Sequence, residues 1–531
     1  MRKSKKLSLL IAIMMLLSSF SFGSVFAESY QIEWGDMLWK IAEKYDLDWQ
    51  YLAEYNNLEN PDLIYAGDSL EIPDEAVDIT VLATADLHGR IYAYSYAIDS
   101  VDSDAGILKI QTLVKEEREN NDNVILMDSG DLTQDNSAEL FNDDPIHSMI
   151  KAVNYMDYDL WTIGNHQFNF EKSFTDNCIE TFEGTALAGN IYKEDGTRYV
   201  EPYEIFDFEG VKVAVVGLTT PYVPVWEAAA PSHFEGLTFT PTVAEAEKIV
   251  QELEGKYDVL IGSFHLGQDG EHGYEGAEAI AEACPEFDAI FMAHAHSKIN
   301  NVEVNGVKLI EPGKYGWALA KADISVIQKD GEWAIDSIVT NNLETYGVEE
   351  DADMAAVFEY VHDISIADAN TIVGEVTADY IDRVDYITGE RDVTTMPTSQ
   401  VEDTALIDLI NEVQMFYSGA DVSSAATFTN SMNLVAGDFK KKDVAYIYKY
   451  PNTLMGVNIT GENLKDYMEW SASYFNTYKP GDLTVSFDEN IRGYNYDMFA
   501  GVDYEIDISE EPGNRIKNLT LNGLEIVVLT S

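Results

Sequence analysis

Short runs of apolar residues punctuate the stretch from residue 79 to about 340, and each gives out near a polar cluster. They lie at 79–84, 124–127, 211–216, 259–261 and 289–292, and they are rich in Val and Ile. Runs this short with no polar alternation predict strands buried on both faces. Between them, residues 107–118 and 243–253 repeat their apolar positions at helical spacing. Strands alternating with helices predict an α/β domain over 78–345, with polar chemistry gathered at the strand ends. Residues 346–370 read as a linker helix, and a second α/β region runs over 371–531. No internal repeat or long low-complexity tract interrupts this pattern.

The front of the chain has a different rhythm. After a short strand, Gly35-Asp36 gives a turn and cap signal, and Leu38, Ile41, Ala42 and Tyr45 follow at helical spacing. A second helix passes through Leu52 and Asn56, then Tyr65-Ala-Gly-Asp turns into a closing strand, Leu70-Glu-Ile-Pro73. Residues 30–73 thus resemble a LysM module over nearly its whole length. The resemblance implies a βααβ fold that binds peptidoglycan or another N-acetylglucosamine polymer. A short acidic linker, 74–78, separates it from the α/β domain.

The first 27 residues carry another signal. Arg2, Lys3, Lys5 and Lys6 precede an apolar run over 7–17, and Val25 and Ala27 sit before a cut ahead of Glu28. This is the pattern of a secretory signal peptide. The alternative is an uncleaved anchor, but the run is shorter than the ~20 residues a spanning helix needs. The mature chain is therefore expected to be extracellular, with no stable membrane span.

Composition narrows the partners. At 531 residues with 46% hydrophobic content, the chain has enough apolar material for two to four cores. Its formal net charge is −61, and losing the basic leader makes it more acidic still. Long nucleic acids are bound through Lys and Arg with counterion release, so a nucleic-acid polymer is excluded as a partner. A small anion can still bind where metal ions reverse the local field. The two cysteines, Cys178 and Cys284, cannot make a disulfide framework. They read as small buried residues, with pairing in an exported protein as the alternative.

Polar clusters follow the predicted strands: Asp86-Leu-His88, Gly130-Asp131, Gly164-Asn165-His166, His265 and His294-Ala-His296. The chain has only nine histidines, and most of them fall in these clusters, which chance scatter does not produce. Asp, Asn and His offer oxygen and nitrogen ligands without thiolate, which favours Zn, Mn, Fe, Co or Ni over a cysteine-rich structural site. On an extended strand end, Asp-x-His and His-x-His would each point both side chains one way. A carboxylate such as Asp131 can bridge two ions, and paired ions suit hydrolysis of phosphate esters.

DLHG, GD, GNHxF, a strand-end His and AHAH, in this order, resemble the metallophosphoesterase family and, within it, the nucleotidase branch. The resemblance implies a four-layer α/β/β/α sandwich holding two divalent metal ions. One ion would take Asp86, His88, Asp131 and His296, and the other Asp131, Asn165, His265 and His294. His166 would be the catalytic histidine that stabilises the transition state and assists the leaving alkoxide. Two departures matter. Gln167 replaces the usual Glu, and Asn169 stands where 5′-nucleotidases typically carry the Asp that orients the histidine. Periplasmic 2′,3′-cyclic-nucleotide phosphodiesterases of the branch show GNHEFN, and the surrounding stretch is most similar to that subgroup.

The region over 371–531 is similar to the 5′-nucleotidase C-terminal substrate-binding domain, through YPNTL at 450–454, GYNYDMFAG and RIKNLTLNG. There two aromatic rings sandwich the base, and Tyr450 matches the first; stacking on such rings is worth roughly 1–3 kcal/mol per base. The domain is expected to be incomplete, with the second ring beyond residue 531. The expectation is a secreted, wall-associated 2′,3′-cyclic-nucleotide 2′-phosphodiesterase and 3′-nucleotidase. The alternatives are a 5′-nucleotidase or UDP-sugar hydrolase, or a LysM wall-binding protein with an impaired phosphatase domain.

Overall fold

The computed structural model describes residues 28–531 apart from 46, 48, 59, 73–75, 330–331, 382–383, 428–432, 449–452, 489 and 527–531. Residues 1–27, where a signal peptide is expected, and Tyr450 lie outside the described residues.

Two six-stranded sheets occupy the middle of the chain. In chain order their strands are β1 (Val77–Thr84), β2 (Val124–Asp128), β3 (Leu160–Thr162), β4 (Thr185–Leu187), β5 (Tyr203–Phe208) and β6 (Val211–Thr219). There follow β7 (Val259–His265), β8 (Ala289–Met292), β9 (Lys298–Val304), β10 (Val307–Pro312), β11 (Ala318–Lys329) and β12 (Glu332–Glu344). One sheet runs β12-β11-β1-β2-β3-β4 and the other β5-β6-β7-β8-β10-β9. Strands β1 to β4 are mutually parallel, as are β6, β7, β8 and β10.

The two-residue period of a strand explains the layers. Val77, Ile79, Val81 and Ala83 of β1 face Val211, Val213 and Val215 of β6 across the space between the sheets. The alternate residues face outward into helices. Leu82 and Leu126 pack on Ile107, Leu108, Val114, Met149 and Val153. Val216, Leu218 and Leu260 pack on Ala246, Ile249, Leu253 and Ile280. Both sets are apolar, which is why the strands read as unbroken hydrophobic runs. The result is the expected helix–sheet–sheet–helix sandwich. Each large side chain buried this way contributes about 1.5–3 kcal/mol.

The long helix Ala352–Ala369 is capped by Asp351, whose side chain accepts from Met354 N at 2.9 Å. It buries Met354, Phe358 and Val361 against the first helical layer. Cys178 and Cys284 are buried, free, and in opposite helical layers. No helix among the described residues is long and apolar enough to cross a membrane.

At the front, Glu28–Gln31 pairs antiparallel with Ser69–Ile72, and the helices Leu38–Lys44 and Trp49–Tyr55 lie between them. Ile32, Leu38, Ile41, Leu52, Leu70 and Ile72 form its core. Asn56 behaves as a piece of backbone: it accepts from Glu71 N at 2.8 Å and donates to Glu71 O at 2.8 Å. Asp36 does not cap the first helix as its position suggested. Its carboxylate accepts from Glu33 N and Tyr30 Oη and so braces the preceding turn.

The C-terminal region is built from ribbons of two or three strands around the helices Ala405–Ser418 and Gly461–Ala472. Arg515 is fully buried. Its guanidinium donates to the carbonyls of Ala472 and Phe475 at 2.7 Å, satisfying the end of the second helix. In the GYNYD segment, Tyr496 is buried and stacks on Tyr474 with ring centroids 5.2 Å apart, so it belongs to the core.

Candidate metal centre

The parallel strands of both sheets deliver their following loops to one rim, and the predicted residues meet there. The strand argument for the two His pairs needs correcting. β1 ends at Thr84 and β8 at Met292, so Asp86, His88, His294 and His296 all lie beyond strands. All four, with Asp131, hold positive φ between 45° and 71°. Left-handed backbone at non-glycine residues is uncommon and costly. Here it turns alternate side chains of each loop into one cavity.

The motif glycines are required by close approach. A Cβ on Gly164 would lie 2.2 Å from Asp131 Oδ1, and one on Gly130 would lie 2.4 Å from His265 Nδ1. The backbones of the GD and GNH loops therefore pack directly on the neighbouring donor side chains.

Three groups of donor atoms lie within 4.8 Å of one another: Asp86, His88 and His296; His88, Asp131 and His166; and Asp131, His265 and His294. Asp131 belongs to two of them, and Asn165 joins through His265, whose Nε2 is 2.9 Å from Asn165 Oδ1 and 3.1 Å from Asp131 Oδ2. His265 Nδ1 donates to Ser129 O at 2.9 Å. Two oxygen acceptors therefore aim at its other nitrogen, and a proton or cation must sit among them. On the opposite side, His88 Nε2 and His296 Nε2 face each other at 3.1 Å. Asp86 Oδ1 and His88 Nδ1 are buried without a hydrogen-bond partner. Asp86 Oδ2 accepts from His294 N, and Asp131 Oδ1 accepts from His166 N, each at 2.9 Å.

The electrostatics match this crowding. Burial pushes His88 down to about 3. Burial also opposes charge on His265, but the Asp131 and Asp86 carboxylates and the Ser129 carbonyl outweigh it and raise the group to about 9. Burial would raise Asp131 too, yet His265, His166 and His88 hold it well below the usual carboxylate range. Orphaned buried donors, opposed imidazole nitrogens and a thiolate-free set of oxygen and nitrogen atoms fit divalent cations. Asp86, His88 and His296 form one group that could hold a divalent ion, and Asp131, His265 and His294 form another, with Asn165 Oδ1 beside it.

Several supporting residues gave no sequence signal. Glu271 accepts from His294 Nε2 at 2.6 Å, which leaves Nδ1 as the nitrogen with a lone pair. Glu311 is fully buried, accepts from Ser297 N at 2.8 Å, and is raised to about 8 by burial. Trp226 packs against His294 with ring centroids 5.4 Å apart. His166 is placed with Nε2 3.9 Å from Asp131 Oδ2 and Nδ1 2.5 Å from Asn169 Oδ1. Gln167 is buried and donates to Thr133 Oγ1 at 3.0 Å.

Comparison with known proteins agrees with this architecture. The family model for calcineurin-like phosphoesterases matches residues 79–298, that for the 5′-nucleotidase C-terminal domain matches 374–527, and that for the LysM domain matches 30–73. The chain is 26% identical over 499 residues to the trifunctional nucleotide phosphoesterase protein YfkN of Bacillus subtilis (strain 168). That match takes in 82% of this chain but only 33% of YfkN. It is also 26% identical over 514 residues to the 2′,3′-cyclic-nucleotide 2′-phosphodiesterase/3′-nucleotidase of Haemophilus influenzae, covering 84% of this chain and 77% of that protein. Among solved structures, a putative 5′-nucleotidase from Staphylococcus aureus in complex with alpha-ketoglutarate superimposes with a TM-score of 0.72 at 22% identity. The superposition covers 85% of this chain and 88% of that one, and it shows a shared fold.

Proposed function

We propose that this metal-dependent phosphoester hydrolase, which carries the domains of the 5′-nucleotidase and 2′,3′-cyclic-nucleotide 2′-phosphodiesterase family, acts on 2′,3′-cyclic nucleotides and 3′-nucleotides. The reading rests on one pair, His166 Nδ1 against Asn169 Oδ1 at 2.5 Å, with Asn at the position where the 5′-nucleotidase pattern has Asp. The Haemophilus relative carries that activity in its name and is matched over most of its length. We place the enzyme outside the cell, tethered to the wall by its LysM module and exported by residues 1–27.

Bound divalent ions would supply Lewis acidity, easing the ionisation of water and neutralising charge on phosphoryl oxygens. The chain supplies the rest. Asp86, His88, Asp131, Asn165, His265, His294 and His296 would hold the ions. His166 presents Nε2 to the cavity and gives a proton to the departing sugar oxygen. Water adds to phosphorus as the bond to the 2′ oxygen breaks, leaving a 3′-nucleotide. A second hydrolysis releases phosphate and nucleoside. Tyr450, outside the described residues, is the proposed platform for the base.

The test is turnover of 2′,3′-cAMP, 3′-AMP and 5′-AMP with Mn²⁺ or Co²⁺, beside metal analysis of the purified protein. Preference for the first two substrates is expected. Preference for 5′-AMP would reassign the protein to the 5′-nucleotidases or UDP-sugar hydrolases. A protein that binds peptidoglycan but retains no ions and no turnover would instead be a wall-binding protein with an impaired phosphatase domain.

A further inference from the structure

Asn169 poses a problem that the structure resolves. An amide has two unlike ends, and only its oxygen can accept from His166 Nδ1–H. Turned over, the same side chain would offer N–H to that nitrogen and favour the tautomer with its proton on Nε2. The neutral Asn cannot choose between these states as an Asp would.

Glu227 makes the choice. Its Oε1 lies 2.7 Å from Asn169 Nδ2. A carboxylate only accepts, so turning the amide over would set two oxygens against each other at that distance. Glu227 thereby fixes Asn169 Oδ1 toward His166. Its charge also polarises the amide, which strengthens the acceptor at the far end. Glu227 is held in turn. It follows the short helix Val223–Trp226, with its own N–H on Val223 O at 2.9 Å. Its second oxygen, Oε2, lies 3.3 Å from His233 Nδ1, which also donates to Phe168 O at 2.9 Å. The side chain is only 15% exposed.

We propose that Glu227 is a positioning residue for His166, acting through Asn169: the negative charge absent at Asn169 is supplied one hydrogen bond further out. This rests on the reading of His166 as the group that protonates the leaving oxygen. Without that role, the orientation of Asn169 would have no consequence for turnover.

The test uses the full chain, with metal content measured for each variant. Glu227→Gln keeps the shape but allows the amide to turn. Its kcat on 3′-AMP is expected to fall about tenfold, within the range found for residues that orient a working group, with KM and metal content unchanged. The loss should be much smaller on 4-nitrophenyl phosphate, whose leaving group departs without a proton. Asn169→Asp alone should also be slow, because two carboxylates then face each other. The double variant Asn169→Asp/Glu227→Gln should recover most of the parent rate. In it the amide introduced at position 227 can donate to the carboxylate introduced at position 169, and that carboxylate can accept from His166. Equal losses on both substrates, or a double variant no faster than the slower single one, would overturn the proposal. So would a Glu227→Gln enzyme that works at the parent rate. His166→Ala separates the two layers of argument. If it retains kcat on 3′-AMP, the role of His166 falls and that of Glu227 with it. If it is inactive while the exchange fails, only Glu227 is misassigned.

Discussion

The central domain and the C-terminal region solve the same problem by different means. In the central domain two wide sheets share a continuous apolar interior, and the donor residues sit at strand ends or, like His265, on the last residue of a strand. In the C-terminal region no sheet among the described residues exceeds three strands, and single polar side chains do much of the holding. Arg515 closes a helix end. Asp385 gathers the N–H groups of Ile387, Thr388, Thr394 and Thr395 into one loop. A centre that must hold several charged groups within a few ångströms needs the stiffer frame. The C-terminal region, proposed to hold the base, faces no such demand, and it can rest on ribbons and stapled loops.

The contrast is sharpest at Asp131, whose two oxygens serve His166 N and His265 Nε2 and which belongs to two of the three donor groups. Asp131→Asn keeps the volume and removes the charge. Turnover on all substrates should fall by more than about a hundredfold, because groups that merely support a ligand are already worth about 10–100-fold. Thermal stability should fall at neutral pH, because a carboxylate held below its ordinary range by His265, His166 and His88 favours the folded state, and its loss leaves those buried rings without their partner. Retained activity would show that the stiff frame serves something other than this centre.

The complementary change is Arg515→Met. It strips the donors from the carbonyls of Ala472 and Phe475, each buried by the fold around it. Leaving them unpaired should cost the C-terminal region about 3 kcal/mol. Hydrogen exchange read peptide by peptide should show faster opening over 461–521, with 79–344 unchanged. Metal content and hydrolysis of 4-nitrophenyl phosphate should be preserved. Loss of both would mean that the two regions unfold as one.

The same contrast governs what could be read from the chain. The strands buried on both faces announced themselves: the run at 211–216 became Val211–Thr219, and that at 259–261 became Val259–His265. Edge strands did not, because Lys298–Val304 mixes polar and apolar residues and β5 is only half-buried. Ordered motifs after strands gave the donor residues. Glu227 and Glu271 were invisible, since each sits on an irregular loop and meets its partner only through the fold, 58 and 23 residues away. The wrong step concerned how Asp-x-His aims its side chains. Asp86 and His88 hold positive φ beyond the end of β1, which spacing alone does not encode.

The smallest expected effect concerns a carboxylate of the central domain that lies away from the centre. Asp288, just before β8, accepts from Leu260 N at 2.8 Å, yet burial pushes it up to about 6. A carboxyl raised above its unfolded value binds its proton more tightly when folded. Its stabilising contribution is therefore complete below about 4 and is lost as the pH rises through about 6. From neutral pH upward the ionised group weighs against the fold by on the order of 2 kcal/mol. Asp288→Asn retains an acceptor for Leu260 N and removes the titration. The variant should match the parent near pH 4 and melt a few degrees higher at pH 8, with turnover unchanged. An equal difference at both pH values would show that the gain comes from packing. No gain at pH 8 would mean that water reaches this carboxylate, and that the frame is looser at the strand entrances than at the rim where the donors meet.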